Sequence, residues 1–222
     1  ERALKAQWGI AGIRAALPLL AQLQPALRKG GWRVTVALHR RAADAVPELV
    51  AIWPGLHEDG IFGLALDLGS TTIAAHLTDL DTGAVVASAG IMNPQIRFGE
   101  DLMSRVSYAM MTPGGALEMT RSVREALSTL ISEIAHEAKI DPALILEATF
   151  VCNPVMHHLL VGLDPVELGQ APFALATSDS LSLDAAELDL SGLNPAARVY
   201  LLPCIAGHVG ADAAAVALSE AP

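Results

Sequence analysis

The chain is poor in the residues on which several classes of protein depend. Cysteine occurs only at Cys152 and Cys204, and neither belongs to a CxxC pair. The sequence therefore supports no zinc or iron–sulfur site of its own, and two free buried thiols are the plain reading. Positive charge is scarce: Lys and Arg total 14 against 24 Asp and Glu, a net charge of −10. That balance argues against a nucleic-acid or anionic-membrane surface, though not against one small local anion site. Aromatic residues make up 4%, so a core must be built from Leu, Val, Ile and Ala, for which the 52% hydrophobic content is ample. No apolar run is long enough to cross a bilayer, and no signal peptide is visible. The sequence opens on Glu1 rather than Met and reads as a piece of a longer protein, which weakens the second absence.

What is present begins with helical apolar spacing over 3–29, divided into two helices by Gly12 and Pro18 and stopped by Gly30-Gly31. Strands are expected over 32–38 and 46–53, the second weakened by Pro47. Pro54-Gly55 and the polar run 57–60 mark a boundary. Residues 1–60 thus read as a small α+β linker or middle domain, and 61–222 as a second unit. Three consecutive strands follow at 62–67, 72–79 and 84–91, with a hairpin signal at Asp79–Gly83. Helices are expected over 98–111, with Glu100 and Asp101 in its first turn, and over 117–139. Asp141-Pro142 opens a short helix. A buried strand at 148–152 turns at Asn153-Pro154 into a helix over 155–161. Residues 163–191 read as loop, 198–203 as a strand and 213–218 as a final helix.

The most informative stretch runs from Phe62 to Leu77. An apolar strand ends in Asp67, a Gly69-Ser70-Thr71-Thr72 turn follows, and a second apolar strand leaves it antiparallel. The turn offers closely spaced backbone N–H groups and hydroxyls, with a carboxylate at its entrance, which are the groups that phosphate and a phosphate-bound metal require. The immediate return as a strand excludes a P-loop or a Rossmann turn, both of which pass into a helix. A functionless hairpin remains the plain alternative, although a carboxylate ending an apolar strand is costly without a purpose.

Three further segments carry chemistry. In Gly207-His208-Val209-Gly210-Ala211-Asp212, the acid opens a small-residue helix, either as its cap or facing the turn to place a water. In Asn153-Pro154-Val155-Met156-His157-His158, adjacent histidines diverge by about 100° on a helix, so a joint metal site is disfavoured and structural histidines are expected. The loop 93–101, Asn-Pro-Gln-Ile-Arg-Phe-Gly-Glu-Asp, could cap a helix or face a partner, and composition does not decide between them.

Together these segments resemble the reductive activators of corrinoid-dependent proteins, within the superfamily of actin, sugar kinases and heat-shock ATPases. Residues 67–72 are similar to the superfamily's first phosphate motif. The stretch 93–101 is similar to the activators' Asn-Pro-Gln-x-Arg-[Tyr/Phe]-Gly-Glu-Asp signature. Met156-His157-His158 and Val209–Asp212 resemble their Met-His-His and Val-Gly-Ala-Asp segments.

The resemblance implies an α/β (α+β) fold: a ribonuclease-H-like, actin-like ATPase half over 61–222, preceded by the linker module. It implies ATP-dependent reduction of a corrinoid (cobalamin) protein from Co(II) to Co(I) in the cytoplasm, with a homodimer as one arrangement. Asp67 and Asp212 would be catalytic, and Asp67 would hold Mg2+ through water. Gly69, Ser70, Thr71, Thr72, Gly207 and Gly210 would bind ATP. A [2Fe-2S] cluster would sit in a domain outside this stretch, as would the second ATPase half. One half supplies amides on one side only, so weak ATP binding by this stretch alone is expected. A sugar- or carboxylate-kinase-like phosphotransferase and a non-catalytic docking or dimerisation domain are the alternatives.

Overall fold

A computed structural model of the protein describes residues 2–220. Glu1 and residues 221–222, the outer ends of the two expected segments, lie outside the described residues. The N-terminal part consists of α1 (Arg2–Trp8), β1 (Arg14–Ala15), α2 (Leu17–Lys29), β2 (Val34–His39) and β3 (Glu48–Pro54). Its sheet has the order β1-β3-β2, with β1 parallel and β2 antiparallel to β3. The two expected helices are present, but Pro18 lies in the first turn of α2 rather than between helices. Proline is tolerated there because that N–H has no helical acceptor.

The larger part begins with β4 (Phe62–Leu68), β5 (Thr72–Asp79) and β6 (Val85–Met92), the expected antiparallel meander. It continues with α3 (Leu102–Met111), α4 (Gly115–Ala138), β7 (Ile145–Cys152), α5 (Pro154–Val161), β8 (Leu181–Asp184), β9 (Arg198–Leu201) and α6 (Ala211–Ser219). The strand order is β6-β5-β4-β7-β9-β8. β4, β7 and β9 run parallel, with β5 and β8 antiparallel to their neighbours.

Alternation in β4 and β5 explains how this sheet packs. Leu64, Leu66, Leu68, Ile73, Ala75 and Leu77 are buried on one face, while Ala65, Asp67 and His76 are exposed on the other. Against the buried face lies α4, whose Met119, Val123, Leu127, Leu130, Ile131 and Ile134 are all fully buried. Their three- and four-residue spacing forms one stripe. Each such side chain contributes roughly 1.5–3 kcal/mol by leaving water, which fixes the sheet's orientation. α4 ends where Lys139 adopts a left-handed conformation (φ 59°).

The two sheets meet through side chains. Val50 and Ala51 of β3 pack on Leu146 of β7, and Arg198 of β9 pairs with Glu48 of β3 at 3.4 Å. Arg198 also binds Asp184 of β8.

Three readings of local structure are corrected. The expected helix over 98–111 is a 3-10 turn (Pro94–Phe98) followed by α3 from Leu102, with Asp101 as its cap rather than in its first turn. Gly99 makes the break: a Cβ there would lie 2.8 Å from the Arg105 nitrogen. The short helix at 141 is a 3-10 turn (Pro142–Leu144), and β7 starts at Ile145 rather than 148. The stretch 163–191 contains the edge strand β8. Its Leu-Ser-Leu-Asp sequence carries little strand preference and is held by pairing with β9.

Candidate functional site

The parallel strands β4 and β7 end side by side, Leu68 opposite Cys152, so the segments leaving them share one edge of the sheet. The open crevice outside the carboxyl ends of such strands is where α/β proteins bind ligands. Three of the sequence-selected segments gather there: the 69–72 turn, Asn153, and the 207–212 turn that begins α6.

The 69–72 turn is narrow. A Cβ on Gly69 would lie 2.5 Å from the Thr72 carbonyl oxygen, so only glycine fits that approach. Thr71 and Thr72 are exposed at the tip. No hydrogen bond within the described residues engages the Ser70 or Thr71 amide, or the hydroxyl of Ser70, Thr71 or Thr72. Free successive amides on a turn are groups that can bind an anion.

Asp67 projects from the exposed face of β4. Partial burial raises its pKa, and the nearby charge of Asp212 raises it further. No Lys, Arg or His forms an ion pair with either carboxylate among the described residues. Asp212 lies in the first turn of α6 and accepts from the Ala213 amide at 2.9 Å, while Gly210 occupies the cap position. Two carboxylates close enough to repel, with no cation paired to either among the described residues, suit a divalent ion whose other ligands are water and phosphate. Among the described residues, no group of three or more His, Cys, Asp or Glu side chains could hold a metal ion by itself.

Gly207 and Gly210 are dictated by packing. A Cβ on Gly207 would meet the Phe173 carbonyl oxygen at 2.2 Å, and one on Gly210 would meet that of Cys152 at 2.3 Å. The second contact holds the 207–212 turn against the end of β7. Behind it Cys152 and Cys204 are buried and unlinked. Burial pushes the Cys152 thiol well up, with smaller contributions from Cys204, Asp212 and Asp67, and burial raises Cys204 as well. Both thiols stay protonated and unreactive at neutral pH.

Asn153 caps α5, its side-chain oxygen accepting from Met156 N at 3.0 Å. Both histidines that follow are fully buried. His158 is satisfied: its Nε2 accepts from Ala176 N at 3.0 Å, so Nδ1 carries the proton and donates to the Pro154 carbonyl at 2.8 Å. His157 departs from the expectation of a satisfied structural histidine, since neither ring nitrogen has a hydrogen-bond partner among the described residues. Burial holds its pKa down to about 4.

Sequence reasoning left the role of 93–101 open and did not single out Arg105. The Asn93 side-chain amide donates to the Gly69 carbonyl at 2.8 Å. Arg105 is fully buried and donates to the carbonyls of Ser70 at 2.5 Å and Gly99 at 3.0 Å. No sequence signal marks Arg105, whose burial beside Val106 on α3 comes from tertiary packing.

Comparison with known proteins adds independent findings. The description "RACo linker region" matches residues 1–59 and "RACo middle region" matches residues 62–221. The "Corrinoid activation enzyme RamQ" of Eubacterium limosum is 34% identical over 161 residues, 72% of this chain and 27% of that protein. Among solved structures, a "Reductive activator for corrinoid,iron-sulfur protein" superposes with a TM-score of 0.85 at 28% identity, over 98% of this chain and 34% of the other. The chain therefore spans about a quarter to a third of the length of these relatives. Among the described residues, no helix is long and apolar enough to cross a membrane.

Proposed function

Since this chain belongs to the RACo family, as its linker and middle regions, we propose that it is part of an ATP-dependent reductive activator that returns a corrinoid protein from Co(II) to Co(I). The relatives' printed descriptions, a corrinoid activation enzyme and a reductive activator for a corrinoid, iron–sulfur protein, support the corrinoid partner. In this reading 1–60 is the linker module and 61–222 the first half of an actin-like ATPase domain. The protein works in the cytoplasm.

The observation that carries the ATP reading is the 69–72 turn, with free amides at its tip and paired carboxylates beside it. These residues fit a nucleotide: the space a Gly69 Cβ would need is taken by backbone, and the Ser70 and Thr71 amides are unspent. Gly69, Ser70, Thr71 and Thr72 would hold the phosphates, with Gly207 and Gly210 shaping the opposite wall. Asp67 would hold Mg2+ through water, and Asp212 would orient the attacking water. Mg2+-bound ATP supplies an in-line phosphoryl transfer whose charge the amides and the metal stabilise. The two buried thiols do not fit an iron–sulfur cluster, so the electron source is assigned to another part of the protein.

The test uses the protein in its full natural length. Replacing Asp67 with Ala is expected to lower both ATP hydrolysis and ATP-dependent formation of the Co(I) absorption spectrum by about 100-fold or more. Unchanged rates would remove Asp67 from the site, and a wild-type protein that forms Co(I) equally well without ATP would overturn the ATP reading.

A further inference from the structure

We infer that Arg105 and Asn93 are positioning residues for the 69–72 turn, a buried pair that draws its carbonyls inward and so fixes the outward direction of its amides. The inference rests on the nucleotide reading and adds residues to it.

Three consecutive carbonyls of the turn are engaged from behind. Asn93 Nδ2 donates to Gly69 O at 2.8 Å, Arg105 Nη2 to Ser70 O at 2.5 Å, and the Asn93 backbone N–H to Thr71 O at 2.8 Å. In a trans peptide the carbonyl and the following N–H point in opposite directions. Pinning the carbonyls of 69 and 70 inward therefore turns the amides of Ser70 and Thr71 away from the protein interior, while the bond to Thr71 O fixes the turn to β6. A flexible Gly-Ser-Thr-Thr loop would have to be ordered on binding, and this one is ordered beforehand.

The donors are themselves held. Asn93 Oδ1 accepts from Gln95 N at 2.9 Å, and Gln95 Nε2 donates to Met119 O of α4 at 3.0 Å. Arg105 is anchored by Gly99 O at 3.0 Å, with Gln95 Oε1 at 3.5 Å and Met156 Sδ at 3.4 Å around Nη1. Three separate sequence segments, 93–99, Arg105 and Met156, thus converge on the back of one turn.

Stability alone does not account for Arg105. It is fully buried, and Asp101 acts on it only through its field, with no carboxylate hydrogen-bonded to it among the described residues. A buried charge paired with carbonyls, a glutamine and a thioether is seldom more stabilising than a packed apolar side chain of similar volume. What an apolar residue could not do is orient the Ser70 carbonyl.

The experiment compares the full-length protein with Arg105→Lys, Asn93→Asp and, as a stability control, Asp141→Ala. Asn93→Asp keeps an oxygen to cap Gln95 but loses the donor to Gly69. Asp141 caps the Pro142–Leu144 turn, accepting from Ala143 N at 2.9 Å, at the opposite end of β7 from the 69–72 turn. The readouts are KM and kcat for Mg-ATP hydrolysis, the thermal midpoint, and hydrogen exchange of the peptide covering 66–74. Expected are a rise in KM of about 10-fold for Arg105→Lys and for Asn93→Asp, a smaller change in kcat, and faster exchange in the turn. Asp141→Ala should lower the midpoint and leave KM and turn exchange alone. Wild-type KM and exchange in both positioning variants, with a midpoint lowered as in Asp141→Ala, would overturn the inference. If the wild-type protein binds no Mg-ATP, the nucleotide reading fails separately and exchange alone decides: faster turn exchange upholds the positioning role, and unchanged exchange overturns it.

Discussion

His157 makes the chain acid-sensitive, and its contribution can be worked through. The ring is fully buried, neither nitrogen has a hydrogen-bond partner among the described residues, and burial lowers its pKa from 6.5 to about 4, with the neighbouring His158 adding to the effect. At neutral pH both folded and unfolded forms are uncharged there, and the full stability is present. Below pH 6.5 the unfolded chain takes up a proton that the folded chain refuses until about pH 4, so the unfolded state gains. From those two values the loss is about 2 kcal/mol at pH 5 and about 3 kcal/mol at pH 4. His158 acts with the same sign, because burial lowers its pKa too. His157→Leu keeps the volume and removes both unpaired nitrogens. It should be more stable at pH 7 by about 1–2 kcal/mol and lose less stability between pH 6.5 and 4. Urea unfolding of wild type and variant at pH 4, 5, 6 and 7 measures both quantities. Carboxylates add to the acid slope of both proteins equally, so the difference isolates the imidazole. A variant that is weaker at pH 7 and has an unaltered acid slope would refute the reasoning and mean that the ring has a partner in solution.

Two other substitutions are informative. Gly69→Ala puts a Cβ 2.5 Å from the Thr72 carbonyl oxygen. Opening the turn enough to fit it should cost about 1–3 kcal/mol in thermal unfolding and weaken Mg-ATP affinity on titration calorimetry; wild-type affinity would show that the narrow turn is not needed. Arg198→Met removes the guanidinium shared by Glu48, Asp184 and Ser182. It should cost about 1–3 kcal/mol and speed hydrogen exchange in β3 more than in β4, whereas equal exchange in the two strands would show that Arg198 does not join the sheets.

Much of the architecture was legible because local signals agreed with the tertiary outcome. The β4–β5–β6 meander follows from alternation of apolar residues and a glycine at Gly83 with φ 76°. Helix α4 follows from an apolar stripe long enough to leave little choice. Boundaries failed where a distant contact decided them. The 98–111 segment breaks at Gly99, where Ser104 and the Arg105 backbone leave no room for a Cβ, and β8 is a strand because β9 lies alongside. In the candidate site, Asp67 and the turn residues stood out as polar groups ending an apolar strand. Arg105 did not, since a single arginine in a helix carries no local mark of burial.

The sequence by itself determined which residues could meet phosphate: a carboxylate, a glycine and three hydroxyl residues in succession, a chemistry set by residue type and order. It also determined that strands β4 and β5 are joined at that turn, because a two-residue period needs no distant partner to be read. Only the tertiary structure decided that Asp212 stands near Asp67, about 145 positions apart in the chain, because the parallel pairing of β4 with β7 brings their ends together. It alone decided that Asn93 and Arg105 reach the carbonyls behind the turn. Hydrogen bonds between distant segments depend on where the packed helices stand, and that follows from the shape of the whole core rather than from any neighbouring residue.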